Sequence, residues 1–344
     1  MSLTKTAIVR LGTTPGAVGM GSSTRDQSAD LCTVTMKLVG LCGSDAHIYR
    51  ADDGYEHVIP GTVLGHEGIG VIESIPEGTE TAFTIGDRVV PLSIIGCGRC
   101  SSCKTGSIQH CSQRQTLGVT VDGLLQDRVS AEPHNLVKVP PNVPDRTGVL
   151  TEPFAIAFHG AQKALINRQQ SSVFISGTGT VAWLTALAVR SLGHHVSVLG
   201  RTSPRSHHYR TLARSLGIDF HESALLARPD IWIECSGSTS CIEQALSLLP
   251  PGGRICLVAL YPNRASVDWN LAIRNEIDVV TSYGANKSDF EEALKLLAIH
   301  TDLGEKLTSV HPLQEYADAF ASCAGLAPRG TQFAHKQVLS IHSP

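Results

Sequence analysis

The chain has 344 residues, 42% of them hydrophobic and 17% charged, with a net charge of −3 at pH 7. That composition is globular, and the length suits about one to three domains. The near-neutral balance excludes an electrostatic footprint for nucleic acid or an anionic membrane. No apolar run reaches transmembrane length, and the first twenty residues carry Lys5 and Arg10 without the apolar stretch of a secretory signal. Four of the ten cysteines fall within fifteen residues. In a chain of this size such clustering points to a metal and a reducing compartment, so a cytoplasmic location is expected.

In chain order, residues 6–10 read as a first strand and 12–30, rich in Gly, Ser and Thr, as loop. Residues 31–39 alternate roughly between apolar and polar, the pattern of a half-buried strand. That strand leads into Cys42-Gly43-Ser44-Asp45-Ala46-His47. Farther on, Gly65-His66-Glu67 lies in an apolar, glycine-studded, β-rich run over 63–75, which predicts a curved, bulged sheet. Cys42, His66 and Glu67 offer a thiolate, an imidazole and a carboxylate, the ligand types of zinc, and a catalytic zinc keeps one position open. Ser44 and His47 add two proton-handling groups, and Asp45 is expected to hold the free N–H of the His66 ring. Residues 88–92 read as another strand.

Cys97, Cys100, Cys103 and Cys111 follow with the spacing C-x₂-C-x₂-C-x₇-C. Four thiolates close a tetrahedral structural zinc shell, and in a lobe with almost no apolar residues the metal replaces a core. The rival is an iron–sulfur cluster, but the bacterial ferredoxin run ends in x₃-C-P and this one ends in x₇-C-S. Short strands are predicted over 122–129 and 135–139. Glu152, just before Pro153, reads either as a helix-start acid or as an oxygen ligand for the catalytic metal. A helix is expected over 154–166.

From residue 173 the pattern becomes strand and helix in alternation, which implies an open parallel sheet with ligands at the strand carboxyl ends. Strand 173–176 runs into Gly177-Thr178-Gly179-Thr180-Val181-Ala182, and a helix follows over 183–192. In that context G-x-G-x-x-A is a dinucleotide fingerprint, with the pyrophosphate at the helix N-terminus. The second strand, 195–199, ends in Gly200-Arg201-Thr202, and no acidic residue follows until Asp219. An NAD site usually places Asp or Glu at this point, so NADP is expected over NAD, with Arg201 on the 2′-phosphate. Further strands are read at 230–234, 254–260 and 277–282, with Ser236 in the loop after the first of these. Helices are read at 209–216, 242–249, 290–297 and 313–320, and a final strand at 337–341. No internal repeat is visible.

Taken together these motifs resemble the zinc-dependent medium-chain dehydrogenases of the polyol, sugar and alcohol group. The resemblance runs over nearly the whole chain. It rests on Cys42 to His47, on Leu-Gly-His-Glu-Gly-Ile-Gly from Leu64, on Gly86-Asp87-Arg88-Val89 and on the cysteine lobe. Thr151-Glu152-Pro153, Ser176 to Ala182 and Pro250-Pro251-Gly252-Gly253 add to it. It implies an α/β architecture, a GroES-like β-barrel catalytic domain plus a Rossmann doubly wound parallel sheet. The implied domains are 1–153 with the zinc lobe at 96–112, the dinucleotide domain at 154–285, and a return at 286–344. It implies two zinc ions per chain, the catalytic one held by Cys42 and His66 with Glu67 or Glu152. It implies cofactor contacts at Gly177, Gly179, Thr180, Val181, Ala182, Gly200, Arg201, Thr202, Ser236 and Ala259. The reaction implied is hydride transfer between NADP(H) and a secondary alcohol or carbonyl, with Ser44 accepting the proton and His47 carrying it on. The Ser at position 44 is closer to the sorbitol and sugar members than to simple alcohol members. A homo-oligomer, dimer or tetramer, acting on a small molecule, is expected. Pro76 stands where Gly or Ala is common, so a turn reshaped around Gly78 is expected, and 12–30 departs from the usual proline-rich lead-in, so an altered active-site rim is expected. Three alternatives stay open: an NAD-dependent alcohol dehydrogenase or carbonyl reductase on a non-sugar substrate, a non-enzymatic NADPH or redox sensor, and a zinc protein that binds nucleic acid.

Overall fold

The structure, a computed structural model, describes residues 6–23, 30–222, 228–261, 264, 266–327 and 335–342. The chain divides into two compact units, Met1–Glu152 with Ala285–Pro344, and Pro153–Gly284.

The first unit opens with β1 (Thr6–Arg10) and β2 (Val18–Ser22), paired antiparallel. The second of these lies in the stretch read from sequence as loop. Its VGMGS composition hides a strand because only Val18 and Met20 carry the apolar signal. Then β3 (Cys32–Gly40) buries Cys32, Val34 and Met36 on one face and turns Thr33, Thr35 and Lys37 outward. Helix α1 (Gly43–Arg50) follows at once. Next come β4 (Glu67–Ser74), β5 (Arg88–Pro91), β6 (Ile94–Ile95) and the one-turn α2 (Ser101–Lys104) of the cysteine lobe. β7 (Gln115–Thr116), β8 (Arg128–Ala131), β9 (Leu136–Lys138) and α3 (Asp145–Gly148) complete the first pass. Of the stretch read as strand at 122–129, only the last two residues fall in a strand, β8, while Gln126 makes an isolated bridge to Ala7. The helix α4 (Thr151–Leu165) starts three residues earlier than its periodicity suggested, so Glu152 sits inside its first turn.

Among its described residues the second unit holds six parallel strands: β10 (Ser172–Ser176), β11 (His195–Leu199), β12 (Asp219–His221), β13 (Ile231–Glu234), β14 (Arg254–Leu257) and β15 (Asp278–Thr281). Their order across the sheet is β12-β11-β10-β13-β14-β15. Chain order therefore reverses beside β10, and that switch point is where a doubly wound sheet binds its ligand. Val173, Phe174, Ile175, Ile231, Trp232 and Ile233 are buried, as central parallel strands require. The connecting helices are α5 (Thr180–Ser191), α6 (Ser206–Leu216), α7 (Thr239–Leu248) and α8 (Trp269–Arg274).

The chain then returns to the first unit through α9 (Lys287–Ile299), α10 (Leu303–Leu307), β16 (Thr308–Pro312), α11 (Tyr316–Cys323) and β17 (Lys336–Ser340). The larger sheet of this unit runs β16-β17-β3-β4-β5-β9, with β8 also on β3. Register shifts between β3 and β4 at Thr33/Val34 and Met36/Leu38 supply the bulges foreseen from the glycines. This sheet positions the site. Gly40 pairs with Glu67 on one side and with Val338 on the other, so the start of β17 lies against the chain entering α1.

Candidate metal centre and dinucleotide site

Cys42 is the N-cap of α1, in an extended conformation, and its side chain faces the start of β4. Asp45 in the first helical turn accepts the Cys42 backbone N–H at 2.8 Å, which fixes the N-cap. The cysteine Sγ, a ring nitrogen of His66 and a carboxylate oxygen of Glu67 lie within 4.8 Å of one another. His66 and Glu67 are buried and Cys42 is half-buried. A thiolate, an imidazole and a carboxylate at that separation fit a zinc ion. Burial works against a charged imidazole, but Cys42, Asp45 and Glu152 outweigh it and raise His66 well above its ordinary value. The bond expected from His66 to Asp45 is not formed: His66 Nδ1 and Asp45 Oδ1 are both buried without a hydrogen bond among the described residues. Asp45 is committed to the helix cap instead. Burial also raises its carboxyl, with His66 opposing.

Two residues that the sequence reading passed over complete the pocket. Lys336, at the start of β17, donates to Glu67 Oε1 at 2.7 Å and lies 2.6 Å from Oε2. It also donates to the Leu41 carbonyl at 3.0 Å. Both side chains of this pair are nearly inaccessible, at 6% and 1% exposure. A Cβ on Gly40 would meet Glu67 Oε2 at 2.7 Å and Lys336 Cδ at 3.4 Å, so only glycine lets the pair cross β3. Cys323 at the end of α11 lies 3.4 Å from the Cys42 carbonyl oxygen, and burial pushes its thiol up to about 12. No spacing in the chain links residues 323 and 336 to residue 42; the pairing of β17 with β3 does.

Glu152 is buried, and burial pushes its carboxyl up to about 7, with His66 opposing and Glu67 adding. It lies outside the 4.8 Å group formed by Cys42, His66 and Glu67. Ser44 is half-buried, and its Oγ has no hydrogen-bond partner among the described residues. His47, one turn on, has its Nδ1 2.7 Å from Asp52 Oδ2.

The lobe brings Cys97, Cys100, Cys103 and Cys111 together, again with all four sulfurs within 4.8 Å. The Cys97 amide points at Cys111 Sγ at 3.5 Å. Amides of Arg99 and Cys100 pull the Cys97 thiol down to about 6, whereas desolvation and the Cys100 side chain push Cys103 up to about 12. Four sulfurs without a disulfide, in a lobe where only Gln109 and Cys111 are buried, fit a structural zinc ion.

In the second unit Gly177 closes β10 at φ +118°, and a Cβ there would press on the Cys235 and Ser236 backbone at 3.2 Å. Gly179 is the exposed N-cap of α5, and a Cβ there would meet nothing within 4 Å. That open space over the first turn, formed by Thr180, Val181 and the buried Ala182, fits a pyrophosphate. Gly200 follows β11, and Arg201 and Thr202 are exposed beside it. The loop is pinned by Ser203 N to Ser206 Oγ at 3.0 Å. At the end of β13 the buried Glu234 gathers the switch-point loop. It accepts Ser236 N at 2.7 Å, Gly237 N at 3.1 Å and Tyr261 Oη at 2.7 Å, and its carbonyl accepts Ala259 N at 3.2 Å. Ser236 is thus placed by the carboxylate and Ala259 by the backbone carbonyl of Glu234, a residue that the sequence reading did not single out.

Two family models match this chain: the alcohol dehydrogenase GroES-like domain over residues 28–141 and the zinc-binding dehydrogenase over 184–298. Sorbitol dehydrogenase of Halalkalibacterium halodurans is 32% identical over 279 residues, covering 77% of this chain and 79% of that one. 2-Dehydro-3-deoxy-L-galactonate 5-dehydrogenase of Pseudoalteromonas atlantica is 29% identical over 300 residues, 83% of this chain and 86% of its own. The crystal structure of L-idonate 5-dehydrogenase from Escherichia coli superposes with a TM-score of 0.84 at 25% identity, over 98% of this chain and 97% of that one. With a GroES-like unit, a Rossmann sheet and relatives of this kind, the chain belongs to the zinc-dependent medium-chain dehydrogenases and is an NAD(P)-dependent alcohol dehydrogenase.

Proposed function

We propose that the chain transfers a hydride between NADP(H) and a secondary alcohol or carbonyl of a sugar, polyol or related hydroxylated metabolite. The observation that carries this reading is the convergence of Cys42, His66 and Glu67 within 4.8 Å. Sugar-type substrates follow from the relatives, which are named for sorbitol and a sugar acid. Cys42 and His66 hold the zinc, and the grouping favours Glu67 over Glu152 as the carboxylate. Zinc at this place supplies Lewis acidity to the substrate oxygen. Ser44, its Oγ without a hydrogen-bond partner among the described residues, accepts the hydroxyl proton, and His47 carries it on. Asp45 holds the Cys42 backbone, and Lys336 balances the Glu67 charge. The four cysteines of the lobe hold a second, structural zinc.

The NADP preference is supported by what ends β11. The chain after β11 carries no acidic residue before Asp219 to take the ribose hydroxyls, and the exposed Arg201 offers a planar guanidinium to a 2′-phosphate. A homo-oligomer accords with β15 as an edge strand of the second sheet, with Val279 exposed on it. A cytoplasmic location accords with ten free cysteines, eight of them outside the Cys42 and Cys323 neighbourhood. The test is a panel of sugars, polyols and secondary alcohols with NAD⁺ and NADP⁺, read at the nicotinamide absorbance. Turnover on a polyol or sugar with a higher kcat/KM for NADP⁺ is expected. Activity confined to simple alcohols, or a preference for NAD⁺, would overturn the corresponding half.

A further inference from the structure

The imidazole of His47 is held more firmly than the reaction alone explains. It sits in the last turn of α1, and Asp52 follows the helix by two residues. His47 Nδ1 is 2.7 Å from Asp52 Oδ2. Arg50 Nη2 is 3.0 Å from the same Nδ1. The guanidinium also grips Asp52 Oδ2 directly, from Nε at 2.9 Å and Nη2 at 2.7 Å. Its third nitrogen donates to the Ala324 carbonyl at 3.2 Å, which ties the group to the end of α11. Tyr55 stacks on the His47 ring with centroids 5.4 Å apart and planes 10° apart, and His57 stacks on Tyr55 at 6.3 Å.

The two contacts to Nδ1 cannot both be hydrogen bonds. Guanidinium nitrogens only donate, and an ionised carboxylate oxygen only accepts. A lone pair on Nδ1 would face the Asp52 oxygen, lone pair to lone pair, at 2.7 Å. A hydrogen on Nδ1 makes that contact a charge-assisted bond, and Arg50 already has Asp52 as its acceptor. Asp52 stays ionised here: desolvation raises its carboxyl, but Arg50 and His47 outweigh that and lower it.

We propose that Asp52 is a positioning residue that locks neutral His47 as the Nδ1–H tautomer and leaves Nε2 as its only proton-accepting atom. The proposal rests on reading His47 as the proton carrier, and it names the atom that does the carrying. A free imidazole prefers the opposite tautomer, so the relay needs a lock. Arg50 keeps the lock charged, and Tyr55 keeps the ring plane. Among the described residues, Asp52, Arg50 and Tyr55 are the charged and titratable groups in contact with the His47 ring.

The test is a two-bond ¹H–¹⁵N correlation of histidine rings in the zinc-loaded enzyme, with His47→Gln to assign the signal. At a pH where the ring is neutral, the wild type should show a protonated Nδ1 and a bare Nε2. Asp52→Ala should move His47 toward the Nε2–H form and lower kcat on the order of 10–100-fold with little change in KM. Asp52→Asn, which keeps the size and one acceptor for Arg50, should also lose the pure Nδ1–H signature and guards against a variant that misfolds. A wild-type His47 protonated at Nε2, or a ring spectrum untouched in both variants, overturns the proposal. If the tautomer moves while kcat stays at the wild-type level in Asp52→Asn and His47→Gln alike, the lock stands and the proton-carrier reading falls.

Discussion

Replacing Lys336 by methionine removes the cation from a pair that has almost no access to water. Its Nζ gives up two hydrogen bonds, to Glu67 Oε1 at 2.7 Å and to the Leu41 carbonyl at 3.0 Å. The methionine fills most of the volume, so the loss is electrostatic and polar rather than a cavity. Glu67 is left as an unpaired carboxylate at 1% exposure. Removing one partner of a buried pair costs about 3–5 kcal/mol. For a unit of about 150–250 residues that is a fall of about 6–20 °C in unfolding temperature. The assay is urea and thermal unfolding of zinc-stripped protein for the wild type, Lys336→Met, Glu67→Gln and the double variant. Because the cost comes from the stranded charge, adding Glu67→Gln to Lys336→Met should recover about 1–3 kcal/mol. Zinc should narrow the gap between Lys336→Met and the wild type, since a cation beside Glu67 replaces the lost ammonium. A loss below about 1 kcal/mol in Lys336→Met, or a double variant less stable than Lys336→Met, would refute the reasoning.

The other predictions concern charge, proton transfer and cofactor. Asp145 accepts Lys37 Nζ at 2.9 Å and an Arg88 nitrogen at 3.0 Å; desolvation raises its carboxyl, but these two cations outweigh that and lower it. A lowered folded value means its stabilisation is full above the ordinary carboxyl value, near about 3.9, and fades as the pH falls through the folded value. Asp145→Asn should therefore cost about 1–2 kcal/mol at neutral pH, and thermal unfolding should show the difference closing in acid. Ser44→Ala should lower kcat by about 100-fold or more and His47→Gln by less, because water stands in for the ring; steady-state kinetics with Ser44→Ala at full activity would remove Ser44 from the path. Arg201→Ala should weaken NADP⁺ by about 10–100-fold and leave NAD⁺ nearly unchanged in direct binding titrations.

Local chemistry was legible in the sequence where neighbours in the chain are also neighbours in space. Strand, glycine loop and helix stand in order from Ser172 to Ser191, so the dinucleotide fingerprint and its sheet could be read directly. The four lobe cysteines fall within fifteen residues, and the strand of alternating burial delivers Cys42 as expected. Legibility ended where strand pairing makes the contact. Lys336 reaches Glu67 only because β17 and β4 flank β3, and a single lysine at the start of a strand carries no periodic signal. Asp45 was read as a partner for His66 from its chemistry alone, whereas its position three residues past Cys42 makes it the nearer acceptor for the Cys42 amide. β2, with two glycines, and β12, three residues long, are strands by pairing rather than by propensity.

The most direct test of a zinc centre at Cys42 and His66, separate from the lobe, is metal analysis per chain alongside turnover on the best substrate of the panel. Wild type, Cys42→Ala and Cys100→Ala are compared. The account predicts one zinc for each donor group in the wild type. Cys42→Ala should keep the lobe zinc and its fold but lose turnover, and Cys100→Ala should lose the lobe zinc and unfold at lower temperature. Iron in place of zinc, or Cys42→Ala with full metal and full turnover, would contradict it.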